Sequence, residues 1–241
     1  LRADRQPEFT QIDLEMSFVD VEDVLAIGEG YMKTVFEQAL GETVSLPLPR
    51  LTYTQAMERF GSDKPDTRFG MEIVDISDIA KGCGFGVFAS AVEGGGTVRA
   101  ITAKQAAAKL TRKEIDKLTE FVRGIGAKGL AWGRWVEEKP AASFAKFLSE
   151  DEMQSLLAAA GAEQGDVVLI VADTVKKHVL TTLGALRLEV ADKLEIERRG
   201  YQLLWITEFP FFEWDEEAGQ FVAMHHPFTS PLDECVEYLD T

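Results

Sequence analysis

The stretch that decides the fold is Leu1 to Phe18, LRADRQPEFTQIDLEMSF. From Glu8 onward it alternates. Phe9, Gln11, Asp13, Glu15 and Ser17 fall on one parity, and Thr10, Ile12, Leu14, Met16 and Phe18 on the other. Alternation at period two predicts a strand over Glu8–Phe18 with one apolar face from Ile12. The opposite face carries Gln11, Asp13 and Glu15 at every second position, so their side chains form one polar row. A solvated strand face accounts for such a row. Asp and Glu are poor strand formers, however, so their clustering on an otherwise strong strand also marks a candidate site.

Helices and strands follow outward from that stretch. Asp20, with Asp23 three residues on, caps a helix running to Leu40 and stopped by Gly41. Leu46-Pro47-Leu48-Pro49 reads as an extended linker. Thr52 or Thr54 caps a short helix that carries Ala56, Met57 and Phe60 and ends at Gly61. From Phe69 the texture changes, and glycines punctuate short apolar runs. Phe85–Val92 and Thr97–Thr102 read as a hairpin around Gly94-Gly95-Gly96. Gly82-Cys83-Gly84-Phe85-Gly86 lacks the spacing and following helix of a dinucleotide-binding loop. Capping boxes at Thr111/Glu114 and Ser149/Glu152 open two helices, and Gly129–Val136 lies between them as a strand. Val167-Val168-Leu169-Ile170-Val171 is apolar on both parities and therefore a buried strand. Asp173 caps the helix that follows, with Val175, Val179, Leu183, Leu186 and Val190 at helical spacing. Near residue 203 strands return: Leu203–Ile206, then Phe209–Phe212 and Phe221–Met224 around the acidic turn Glu213–Glu217. The pattern is α+β.

The 241 residues carry 25 Lys and Arg against 41 Asp and Glu, a net charge of −16, with 46% hydrophobic residues. A sizeable core is expected, and disorder is excluded. No run approaches the roughly 18 apolar residues of a membrane span. Cys83 and Cys235 cannot make a disulfide framework, so they suggest a reducing compartment and buried thiols. The charge is uneven. Residues 1–68 hold 7 basic and 13 acidic groups, residues 69–193 hold 16 and 17, and residues 194–241 hold 2 and 11. Within the near-neutral middle, residues 98–139 have 10 basic and 5 acidic groups, an excess that could line one face. The bulk field opposes indiscriminate RNA binding, so an RNA partner would need a local patch.

No nucleophilic triad, Walker loop, HExxH or CxxC is present. His178 stands on a helix, and adjacent His225 and His226 diverge, so no zinc site is expected. What remains is the opening stretch and the closing Met224-His225-His226-Pro227-Phe228-Thr229-Ser230-Pro231.

These two segments, with Gly61-Ser62-Asp63-Lys64-Pro65-Asp66-Thr67-Arg68 and Gly184-Ala185-Leu186-Arg187, resemble the class II aminoacyl-tRNA synthetases in their bacterial aspartyl form. LRADRQPEFTQIDLEMSF is similar to the downstream half of motif 2. The ordered set of motifs spans effectively the whole chain. The resemblance implies a catalytic domain in two parts, residues 1–68 and 194–241, belonging to an antiparallel class II sheet. Residues 69–193 would be an inserted α+β domain like that of tRNA-dependent amidotransferase B/E subunits. It implies an internal fragment of an ATP- and Mg2+-dependent enzyme, cytoplasmic and homodimeric, that joins L-aspartate to tRNA. The phosphate-binding arginines would lie elsewhere, and the fragment alone would be inactive.

By position, the resemblance gives Gln6 to ATP, Gln11 and Asp13 to the substrate aspartate, and His225 with His226 to a loop over that amino acid. Arg2, Asp4 and Arg5 fall to the approach of the tRNA acceptor end. Set against these roles are solvated positions for Asp13 and Glu15, loop packing for His226, and plain surface charge for Arg2 and Arg5. The rival function is a non-catalytic tRNA-binding or assembly module resting on the basic segment 98–139.

Overall fold

A computed structural model describes residues 8–136, 139–215, 218–224 and 230–238. The chain divides into two compact units, one reaching to Pro49 and the other beginning at Arg50.

In the first unit Asp20 opens helix α1 (Val21–Val35). Its carboxylate accepts from the amides of Glu22 and Asp23, while Asp23 returns a bond to the Asp20 amide, a complete capping box. The last turn widens to a π turn over Phe36–Leu40, and left-handed Gly41 ends it. That much follows the sequence. The segment before it does not. Among the described residues 8–20 there is no strand, and Ile12, Leu14 and Phe18 of the expected apolar face are 65%, 59% and 106% exposed. Alternation supplies the side-chain pattern of a strand, but the ladder needs a neighbouring backbone, and no described segment pairs with this one.

The second unit begins with β1 (Arg50–Thr52), which runs straight into α2 (Tyr53–Phe60). Of the two candidate caps Thr52 is the one used: its hydroxyl accepts from Gln55, whose side chain returns the bond. The centre is a five-stranded antiparallel sheet of β2 (Val74–Asp75), β3 (Thr97–Ala103), β6 (Val167–Asp173), β4 (Ala131–Val136) and β5 (Lys139–Ala142), in that order. Val167, Leu169 and Val171 pack into one core with Ile101 and Ala103, whereas Val168 and Ile170 pack into a second with Val98 and Ala100. A strand apolar on both parities thus has a dry layer on each face. The first layer is built by α5 (Arg112–Gly124) and α7 (Lys176–Lys193), through Ile115, Leu118, Val179, Leu183 and Leu186. The second is built by α3 (Ser77–Lys81), α4 (Gly86–Glu93) and α6 (Glu150–Ala159), through Ala80, Phe88, Ala91, Met153 and Leu157.

Helix α4 corrects the expected hairpin. Phe85, Phe88 and Ala91 recur every three residues and pack together against the second face of the sheet, so helical spacing prevails over the flanking glycines. The Thr111 hydroxyl caps α5, but the Glu114 side chain turns to Lys117 and Lys193. Ser149 and Glu152 form the full box at α6. Asp173 accepts from the Val175 amide, and α7 starts one residue beyond. The closing segment contributes β7 (Trp205–Thr207), paired in parallel with β1, and an antiparallel hairpin of β8 (Phe212–Asp215) and β9 (Gln220–Ala223). Cys83 is half-buried and Cys235 exposed, so the second thiol is not the buried residue expected of it. Among the described residues no helix is long and apolar enough to cross a membrane.

Candidate functional site

Of the eight residues to which the resemblance gives a role, two fall within the described chain. Gln11 and Asp13 lie in the first unit, exposed and two residues apart on an irregular segment. Their polar row is therefore open to solvent, as a binding surface must be, although the ladder expected to fix it is absent among the described residues. Gln6, Arg2, Asp4, Arg5, His225 and His226 lie outside the described residues.

The other quoted motifs do meet, within the second unit. Gly61 ends α2 in the left-handed conformation, with φ +67°. Its backbone lies against Gly184 in the middle of α7: a Cβ on Gly61 would stand 2.0 Å from the Leu180 carbonyl oxygen, and one on Gly184 would stand 2.6 Å from the Gly61 oxygen. Only two glycines allow the helices this approach. The contact delivers the loop after Gly61 to Arg187, one turn further along α7.

Arg187 is fully buried. Its Nε donates to the Met71 carbonyl at 3.1 Å, and Nη2 lies 2.7, 2.8 and 2.9 Å from the carbonyls of Asp66, Phe69 and Gly70. The guanidinium also stacks 3.9 Å from the Phe69 ring centre and 5.0 Å from that of Phe60. A planar ion with several donors satisfies carbonyls that no regular element pairs, and the aromatic faces offset part of its lost hydration. Burial pushes its pKa down to about 10, so it stays protonated at neutral pH. Arg187 is thus the post around which the loop from Asp66 to Met71 is wound.

The front of that loop is also fixed. Arg68 makes a two-pronged pair with Asp66, at 2.9 and 2.7 Å. The guanidinium beside Asp66 holds its carboxyl below the usual carboxylate range. Arg59 and Glu72 form a second such pair, both bonds 2.7 Å, and Glu72 is lowered in the same way.

The basic segment 98–139 behaves differently from expectation. Arg99, on β3 and buried, bridges Glu58 of α2 at 2.6 Å and Asp75 of β2 at 3.0 Å. Lys104 reaches Asp166, Lys109 the Leu194 carbonyl, Arg112 Asp116, Lys117 Glu114, Arg123 Glu120 and Lys128 Asp173. Arg134 reaches the Ala107 carbonyl. The local excess of positive charge is thus largely paired within the fold, although most of these side chains remain more than half exposed.

The fold is α+β, and within it the Gly61–Arg68 and Gly184–Arg187 motifs meet. The chain belongs to the class II tRNA synthetases (D, K and N), whose family model matches residues 1–239. It is 56% identical over its whole length to the aspartate–tRNA ligase of Ruminiclostridium cellulolyticum and 51% identical to that of Clostridium perfringens. To the aspartate–tRNA(Asp/Asn) ligase of Bacillus cereus it is 52% identical, again over the full chain. The chain spans about two fifths of the length of these relatives, 41%, 40% and 41% respectively.

Proposed function

We propose that the chain is the catalytic-core part of an aspartate–tRNA ligase. The enzyme would activate L-aspartate with ATP to aspartyl adenylate and pass the aspartyl group to the 3′ end of tRNA. The observation that carries this reading is an overall identity above half, over the full length of the chain, with proteins named aspartate–tRNA ligase. The domain scheme of the reading is a catalytic domain from residues 1–68 and 194–241 around an insertion at 69–193. The described five-stranded sheet, from Val74 to Asp173, falls inside that insertion.

Neither step asks for a protein nucleophile. The substrate carboxylate attacks the α-phosphate and expels pyrophosphate, and then a ribose hydroxyl attacks the acyl carbon and expels AMP, so positioning and charge neutralisation are what the protein supplies. Asp13 presents a fixed negative charge to the substrate ammonium, and Gln11 beside it offers both a donor and an acceptor. Gln6 serves ATP, His225 and His226 close over the amino acid, and Arg2, Asp4 and Arg5 meet the acceptor end. ATP and Mg2+ are the substrate and the metal of the enzyme in this reading. The working protein in this reading is a cytoplasmic homodimer.

The test is aspartate-dependent exchange between pyrophosphate and ATP. A protein of the relatives' full length that contains this chain is expected to exchange, and the 241-residue chain alone is expected not to. Absence of aspartate-dependent exchange in the longer protein overturns the reading.

A further inference from the structure

The loop Lys64–Arg68 and the segment Gly200–Leu203 face each other across a cavity of about 350 Å³. Both walls are held in place. Arg187 grips the loop from behind, the Thr67 hydroxyl donates to Gln202 Oε1 at 2.8 Å, and Arg68 Nη1 reaches the Gly200 carbonyl at 3.3 Å. Hydrogen bonds thus tie the two walls of this open cleft together.

Its chemistry is lopsided. A guanidinium carries five N–H donors and an ammonium three, and neither accepts. Arg68 places two donors on Asp66 and one on Gly200; Lys64, with an 85% exposed side chain, places one on Asp63 at 3.2 Å. Each cation thus keeps two donors to offer. Asp66 is the one acidic residue in the lining, and Arg68 engages both its oxygens, with Arg198 a further 4.0 Å away. Within a chain of net charge −16, the two carboxylates here, Asp63 and Asp66, are already engaged by Lys64 and Arg68, and donors remain on both cations. A ligand rich in acceptors and negative charge is what complements them. Beside the cations stands the ring of Tyr201, 60% exposed, a flat apolar face at the cavity wall.

Paired cations next to an aromatic platform suit single-stranded RNA, in which phosphodiesters meet the charge and bases stack on the ring. The volume is at the small end of ligand sites and matches about one nucleotide. We propose that this cavity binds one nucleotide of a single-stranded RNA segment, with its phosphate on Lys64 and Arg68 and its base on Tyr201. The proposal rests on the tRNA ligase reading only for the identity of that RNA as tRNA.

The experiment is a fluorescence-anisotropy titration of the 241-residue chain with a short fluorescein-labelled oligoribonucleotide at low salt. Saturable binding that weakens with added salt is expected. Tyr201→Ala is expected to weaken it roughly tenfold through lost stacking, and Lys64→Gln about fivefold through a lost phosphate contact. Both side chains are exposed, so thermal melts are expected to match wild type and to separate lost binding from lost fold. No binding by the wild-type chain, or equal binding by both variants, overturns the proposal. So does displacement of the oligonucleotide by an equal concentration of inorganic phosphate, which would mark a bare anion site. Aspartate-dependent exchange is read without RNA, so failure here and failure of the ligase reading are distinguished.

Discussion

Gly61 and Gly184 share one contact: the C-cap of one helix rests on the waist of another, and neither position has room for a methyl group. In an ordinary helix interior, Gly→Ala gains roughly 0.5–1 kcal/mol of stability. At Gly184 the sign is expected to reverse, because the new Cβ would stand 2.8 Å from the Phe60 oxygen and 2.6 Å from the Gly61 oxygen, both backbone atoms. Gly184→Ala is expected to cost about 1–3 kcal/mol, the usual range for forced overpacking, read as a lower urea midpoint. Gly61→Ala is expected to cost more, since it adds left-handed strain to a 2.0 Å clash.

Arg187 is the second support of the same junction. Arg187→Met removes the donors to four carbonyls, those of Asp66, Phe69, Gly70 and Met71. With buried acceptors left unpaired, a loss of about 3 kcal/mol or more is expected in chemical denaturation. Arg187→Lys keeps the charge but neither the planar fork nor the stacking on Phe69, and is expected to recover only part of that loss. Amide hydrogen exchange is expected to speed up across residues 66–71 in both variants before it does so in the sheet.

How much of this was legible in the sequence depended on how local the signal was. The boxes at Asp20/Asp23 and Ser149/Glu152 involve residues three apart and could be read directly. So could Val167–Val171, whose apolar run on both parities states that both faces are covered. The alternation of residues 8–18 was equally clear, yet a strand is a property of two backbones, and the pattern names no partner. At Phe85–Val92 the glycines suggested a turn-rich hairpin, while the spacing of Phe88 and Ala91 held the evidence for a helix. The role of Arg187 was not legible at all. Its carbonyl partners lie 116 to 121 residues away, and nothing in the tetrad Gly184–Arg187 marks one member as a buried post. For the candidate site, Gln11 and Asp13 stood out by residue type and spacing, but their roles came from the motif alone. Tyr201 and Gln202 gave no signal, because the cavity they line exists only once the loop at Lys64 is folded against them.

The acid limb of stability follows from the depressed carboxylates. Arg68 lowers Asp66 through its hydrogen bond, and Arg59 lowers Glu72 likewise. A carboxyl lowered in the folded state contributes stability that is fully present above the unfolded value, near pH 4, and is lost as pH falls through the folded value. The urea midpoint is therefore expected to decline from about pH 4 downward. In Asp66→Asn part of that decline is expected to vanish, with a lower midpoint at neutral pH, where the wild-type ion pair is intact.

Arg99 tests whether the basic segment is structural. Its guanidinium, 8% exposed, joins Glu58 and Asp75, and Glu58 also pairs with Lys176. Arg99→Met would leave two carboxylates facing each other across an apolar side chain. Both carboxylates reach solvent and Glu58 keeps Lys176, so a loss of about 1–3 kcal/mol, below that for a fully buried pair, is expected in chemical denaturation. Arg112→Gln, on the exposed side of α5, is expected to change stability by less than about 0.5 kcal/mol. If the segment were an RNA-binding face, Arg112→Gln would instead weaken oligonucleotide binding at unchanged stability, a result that anisotropy would reveal.

Asp13 carries the ligase reading at the level of one residue. In the proposed role its carboxylate meets the substrate ammonium, a contact made in the ground state and kept in the transition state. Asp13→Asn in the longer protein is expected to raise the KM for aspartate by about 10–100-fold, the worth of a charge-assisted hydrogen bond, with a smaller change in kcat. The KM for ATP is expected to stay within about twofold, since in the proposed role Asp13 contacts only the amino acid. The exposure of Asp13 means that the substitution leaves folding intact, so thermal melts of variant and wild type are expected to coincide. A variant with an unchanged KM for aspartate in pyrophosphate exchange would return Asp13 to the solvated position that its open setting also permits.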